Sequence, residues 1–167
     1  MTTERTEPPL EAGEREMLTS WLDYHRATLA WKCEGLTDAQ LRERAVPPST
    51  LSLLGLVRHM AEVERSWFRR VLSGEDVPPL YYSDANPDGD FDDVDEADVA
   101  EDFATWRAEC GQATELLAAA PSLDITCERR DVRFSLRWIL THMIEEYARH
   151  NGHADLLRQR IDGAVGD

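Results

Sequence analysis

Residues 136–163 read LRWILTHMIEEYARHNGHADLLRQRIDG, and their apolar positions recur at intervals of three and four, the period of an amphipathic helix. Ser135 precedes the run as an N-cap and Gly163 closes it. Inside it His142, Glu145, Glu146, His150 and His153 occupy turns that also carry the apolar face. With His142 set at zero on a wheel advancing about 100° per residue, Glu146 falls at about 40°, His150 at about 80° and His153 at about 20°. Trp138 and Leu156 fall at about 320°, Ile139 and Leu157 at about 60°. The polar stripe is therefore expected to coincide with the apolar one and to face the core.

An imidazole or carboxylate left without a partner in a core costs roughly 1–3 kcal/mol, and a full charge far more. Any one of these residues, taken singly, reads better as a hydrogen-bonded core side chain. Several on adjacent turns call for one shared partner, and a divalent cation fits, because i, i+4 side chains lie close enough to share it. A further ligand has to come from another element. His59, in LVRHMAEVE, lies on the edge of an apolar helical face and can turn inward; His25, in WLDYHRATL, competes with it on spacing alone.

Outward from this helix, three more long helices are legible. One runs from about Glu11 to Glu34 and ends near Gly35. Thr37 then caps a short turn, DAQLRER, and Pro47-Pro48 stops the chain. A second long helix is expected from a cap at Ser49 or Thr50 to Gly74, and a third from about Asp95 to Pro121. Residues 122–134 read as a loop or short extended segment. Four amphipathic helices without a convincing strand pattern or internal repeat make this an all-α four-helix bundle, one domain over 11–163 behind a polar tail, 1–10, expected to be disordered. The connections are longer than a minimal up-down bundle needs, so the topology stays open.

Composition narrows the function. The chain has 167 residues, 42% apolar and 31% charged, which is a globular balance. No run suits a membrane span, and the acidic N-terminus has no signal-peptide core, so a cytoplasmic protein without membrane contact is expected. The net charge of −15 repels a phosphate backbone, which argues against nucleic acid. Cys33, Cys110 and Cys127 form no CxxC pair and read as reduced thiols. DANPDGDFDDVD, residues 84–95, resembles part of an EF-hand calcium loop, but position 12 is Asp95, Pro87 intrudes and no entering helix precedes it. A solvated acidic loop is the better expectation. Trp67, Trp106 and Trp138 fall at core spacing. Neither a glycine-rich phosphate loop nor a GxSxG elbow is present.

HMAEVERSWF and LRWILTHMIEEYARHNGHADLLRQRIDG together resemble the DinB/YfiT-like metalloprotein superfamily, and more narrowly its mycothiol-dependent maleylpyruvate isomerase type. The resemblance covers nearly the whole chain. It implies a four-helix bundle, often a homodimer, holding one divalent metal with a ligand from the second long helix and two from the last. Many relatives carry His-x-x-x-His followed by a glycine two positions on, and the matching segment here is EYARHNGH. The resemblance thus assigns the metal to His59, Glu146 and His150, with glutamate departing from the commonest pattern but similar to the isomerase branch. Such a set suits Zn²⁺ first, and also Ni²⁺, Fe²⁺ or Mn²⁺.

His153 and His142 remain as supporting or acid–base candidates, and Arg149 and Arg158 as weak candidates for holding an anionic substrate group. The implied function is a metal-dependent transferase or isomerase using a low-molecular-weight thiol such as mycothiol and an electrophilic partner. The isomerase type also has a C-terminal domain for which this chain is too short, so its substrate is not carried over. A metal-dependent hydrolase, with His153 or Glu145 as base, and a non-enzymatic metal-stabilised binding or stress protein are the alternatives.

Overall fold

The computed structural model describes residues 5–166, so residues 1–4 of the expected tail lie outside the described residues. The helices are α1 (Glu14–Cys33), α2 (Asp38–Arg42), α3 (Leu53–Glu64), α4 (Gly89–Asp92), α5 (Val99–Ala119) and α6 (Leu136–Asp162). A π-helical segment, Arg65–Leu72, continues α3 without a break. The architecture is an all-α four-helix bundle: α1 packs along α6, α3 along α5, and α3 joins the two pairs by touching α6.

Local chemistry sets the helix starts, in places other than those expected. Ser49 closes a turn through its N–H to the Val46 carbonyl while its hydroxyl accepts from Leu51 N, so it cannot cap. The cap of α3 moves to Ser52, whose Oγ accepts from Gly55 N at 3.1 Å. The third long helix begins at Val99 rather than near Asp95, because Asp98 caps Glu101 N while Asp95 pairs with Arg44. The first begins at Glu14, three residues later than read, just after Gly13. Thr37 forms a full capping box with Gln40 on α2.

Within residues 122–134, read as loop or extended, the chain forms an antiparallel hairpin of β1 (Thr126–Arg129) and β2 (Val132–Ser135) packed on the π-helical segment. Its turn holds Arg130 at φ 52° and Asp131 at φ 64°. Two left-handed residues are the two-residue hairpin geometry usually given to Asn-Gly, so this turn carries no glycine signal.

The buried face of α6 is Leu136, Ile139, Leu140, Met143, Tyr147, Asn151, Ala154 and Leu157. Its centre lies about 120° round the helix from His142. The polar stripe is therefore a half-buried border of that face, and the expected coincidence holds only in part: Ile139 and Leu157, which fall within the stripe's arc, are buried. Trp138 and Leu156, placed in the core by the wheel, are 45% and 57% exposed; Trp106 is buried and Trp67 half-buried.

One buried ion pair anchors a network that ties α1, α3, α5 and α6 together. Arg26 of α1 grips Glu64 of α3 with Nε and Nη2, both at 2.7 Å, and Glu64 is fully buried. The Tyr147 hydroxyl donates to Glu64 Oε1 at 2.8 Å and accepts from Trp106 Nε1 at 2.9 Å. Tyr147 directly follows Glu146, so this network fixes the rotation of α6 and with it the direction of the Glu146 side chain. The three cysteines are unbonded. Burial pushes the Cys33 thiol up to about 12, and burial also raises Cys110, beside Glu64, and Cys127.

Candidate metal centre

α3 and α6 bring His59, Glu146 and His150 together, with one ligating atom of each within 4.8 Å of the others. The i, i+4 spacing on α6 stacks Glu146 under His150, and His150 Nε2 stands 3.5 Å from Glu146 Oε2. Two ligands at about 2.1 Å from a tetrahedral ion would sit roughly 3.4 Å apart. The His59 and His150 rings meet edge-on at 4.7 Å between centroids.

The ring nitrogens are directed by neighbours. His59 Nδ1 is 2.8 Å from Asp90 Oδ2, so a tautomer that donates to this carboxylate leaves Nε2 as a free lone pair. Phe91 stacks on the other side of His59 at 4.9 Å. His150 Nδ1 meets His153 Nδ1 at 3.3 Å, which leaves Nε2 of His150 toward Glu146. Burial, with His59 and His153 beside it, pushes the His150 pKa down to about 4, so the ring is the neutral form that ligates.

Glu146 is the orphan of the group. Its oxygens approach His142 Nε2 at 3.6 Å and His150 Nε2 at 3.5 Å, and among the described residues it accepts no hydrogen bond. A half-buried carboxylate in that state is under-compensated, and a divalent cation shared with the two imidazoles would supply the missing charge. Two imidazoles and a carboxylate are also a donor set that Zn²⁺ and its first-row neighbours accept. The residues present fit a metal.

The other candidates fall at different places. His25 turns away: Asn151 donates to its backbone carbonyl at 3.0 Å, and its ring packs tilted against Trp21 and edge-on to Tyr24. His142 lies one turn before Glu146, stacked on Trp138 at 4.9 Å and edge-on to Trp67 at 4.8 Å. With Glu145 and Glu146 it forms a second possible ligand group, but all three share one helix and Glu145 is paired with Arg149. That pairing occupies Arg149. Arg158 donates to the Lys32 and Glu34 carbonyls at the end of α1 and bridges Asp162, so it serves as a helix clamp rather than an anion holder.

Asp90 escaped the reading of the sequence, which placed it in a solvated acidic loop. It is buried, and Arg58 holds the Gly89 and Asp90 carbonyls at 3.0 Å while pairing with Asp102. No three carboxylates of residues 84–95 converge: Asp90 serves His59, Asp93 accepts from Asn86 and Asp95 pairs with Arg44. The one available signal was Gly89, where a Cβ would stand 2.3 Å from the Tyr81 carbonyl. Gly89→Ala is accordingly expected to displace Asp90. Asp90→Asn removes the carboxylate without that displacement, and divalent-ion affinity should fall about 10- to 100-fold by calorimetry, the usual effect of losing a histidine's outer partner. An unchanged affinity would mean that Asp90 does not orient His59.

No match is found among curated proteins. Among family models, the one described as Mycothiol-S-transferase matches residues 17–163, which include all of α2 to α6 and most of α1. With the bundle, and with His59, Glu146 and His150 brought together across it, the chain belongs to the mycothiol-S-transferase family of DinB/YfiT-like proteins.

Proposed function

We propose that the protein is a metal-dependent transferase or isomerase that uses a low-molecular-weight thiol, such as mycothiol, against an electrophilic substrate. The observation that carries this reading is the convergence of His59, Glu146 and His150 within 4.8 Å, with both imidazoles directed by partners of their own. A divalent ion held there, Zn²⁺ first and Ni²⁺, Fe²⁺ or Mn²⁺ as substitutes, supplies Lewis acidity that lowers the pKa of an incoming thiol.

The chain's own residues do the rest. Asp90 and His153 hold the two rings against rotation, and Tyr147 holds α6. His142 Nε2, 3.6 Å from Glu146 Oε1 and partly open to solvent, is the neighbouring imidazole not engaged by the ring of a ligand, as His153 is, and would take the thiol proton. Trp67 and Trp138 wedge His142 in that position. Family likeness alone adds a homodimer and a cytoplasmic setting to the proposal; no described helix is long and apolar enough to cross a membrane.

Hydrolysis is the weaker reading, because Glu145 is paired with Arg149 and His153 faces His150, which leaves neither of the two candidate bases free for water. A thermal-shift screen of metal-loaded protein separates the readings. Mycothiol at about 100 times its Kd should stabilise the native state by roughly 2.7 kcal/mol and raise Tm by several degrees. Absence of a shift with every small thiol tried would sink the thiol reading, while a shift with divalent ions alone would favour a metal-stabilised binding protein.

A further inference from the structure

The β1–β2 hairpin and the π-helical segment border an open cleft of roughly 420 Å³, within the range that takes a small organic ligand. Trp67, Tyr82, Val132 and Phe134 supply flat and apolar walls, and Arg129 and Arg130 line the same cleft. Arg70 reaches it through its bond to the Tyr82 hydroxyl at 2.9 Å. In a chain of net charge −15, three guanidinium groups at one cleft are an outlying feature.

These arginines are also short of anions. Arg129 donates to the neutral Ser66 hydroxyl at 3.1 Å, and none of the three forms an ion pair with a described carboxylate. Glu62, which feels the charge of Arg70, is already held by the Leu80 and Tyr81 amides. A guanidinium has five N–H donors, so most of theirs are unused. Burial and the charges of Arg70 and Arg130 hold Arg129 below the ordinary arginine value, as expected at a place of positive potential. Arg130 sits at the left-handed turn, a position where glycine or asparagine would be relaxed and where arginine brings a charge to the rim instead.

The cleft adjoins the candidate metal centre. Trp67 is their common wall, 5.3 Å from the Phe134 ring on one side and 4.8 Å from the His142 ring on the other, and His142 leads to Glu146. The exposed Trp138 ring continues this aromatic surface, stacked on His142.

We propose that this cleft is the subsite for the carboxylate end of a flat, conjugated organic acid, whose carboxylate is held by Arg129 and Arg130 and whose conjugated body lies along Trp67 toward the metal ligands. That such an acid is the electrophile rests on the thiol-transfer reading; that the cleft binds it does not. Guanidinium forks match a carboxylate in two parallel bonds, and indole faces match a conjugated plane.

Calorimetry of the metal-loaded protein with trans-cinnamate and its neutral isostere trans-cinnamamide tests the subsite. Cinnamate should bind at least tenfold more tightly than the amide, and the double variant Arg129→Gln/Arg130→Gln should lose at least tenfold in cinnamate affinity while keeping its Tm and metal content. Removing the ion with a chelator should leave cinnamate affinity within twofold. Equal binding of acid and amide, indifference to the double variant, or loss of cinnamate on removal of the ion would each overturn the proposal, the last because the carboxylate would then sit on the metal. If the double variant does not fold, the exposed Arg130→Gln alone should still weaken cinnamate at least threefold, and no weakening overturns the proposal. Cinnamate discrimination without any thiol-induced thermal shift upholds the subsite and sinks the thiol reading; a thiol shift without discrimination does the reverse.

Discussion

Replacing His150 with alanine is expected to abolish tight divalent-ion binding and thiol-dependent turnover together while leaving the bundle folded. His150 is the hinge of the site: Nε2 faces Glu146, Nδ1 faces His153, and the ring packs against His59. Without it, His59 and Glu146 offer two ligands from different helices, too few to hold an ion in competition with water. The affinity loss should exceed the roughly 100-fold upper end seen for outer-shell changes. Stability should fall much less, because the side chain borders the core and none of the fully buried apolar residues is disturbed. Metal content by elemental analysis, activity and melting temperature distinguish the outcomes. Retention of near-stoichiometric metal in the variant would remove His150 from the ligand set, and a collapse of Tm with metal binding intact would make its role one of packing.

The largest effect on stability is expected from Arg26→Met. The substitution keeps most of the side-chain volume and leaves Glu64 fully buried with only Tyr147 and Cys110 as donors. Breaking one partner of a buried ion pair costs about 3–5 kcal/mol, more than the pair itself contributes, because the remaining charge is stranded. For a chain of this size that corresponds to a fall in Tm of roughly 10 °C. Adding Glu64→Gln to the same chain should recover a large part of the loss, since a neutral amide can still accept from Tyr147. A loss below about 1 kcal/mol in the single variant, or no recovery in the double, would show that Glu64 is not held as an ionised partner. Because Tyr147 sets the rotation of α6, the single variant should also weaken metal binding without touching a ligand.

The fold was legible where local signals repeat along a helix. Ser135 and Gly163 bracket α6, and the apolar periodicity of α3, α5 and α6 appears directly in the residues. What misled was the choice of face. His142, Glu146, His150 and His153 span a broad arc, and Trp138 and Leu156 drew the apolar stripe to the wrong side of it; Met143, Tyr147, Asn151 and Ala154 define the true inner line. Only packing against α1 and α3 decides between two such arcs.

His59, Glu146 and His150 were within reach of spacing and family likeness, and the structure brings them together. The partners that direct them were not. Asp90 is 31 residues from His59, and Arg26 is 38 from Glu64, separations at which no periodicity speaks. Asp90 was further hidden among other aspartates of residues 84–95, and only the burial created by Arg58 and Gly89 distinguishes it from them. The Arg130–Asp131 turn likewise shows no glycine, so the hairpin that frames the arginine cleft read only as a loop or short extended segment.

The raised thiol pKa values of the three cysteines have a practical consequence at the bench. Thiol–disulfide exchange needs a thiolate, and Cys33, Cys110 and Cys127 are each held toward the protonated form. The protein should therefore keep its three thiols through purification and storage in air at neutral pH, with no dithiothreitol or mercaptoethanol in the buffer. Those reductants are themselves small thiols that would compete for the position proposed for mycothiol, so metal titrations and mycothiol assays can be run free of the commonest interfering reagent.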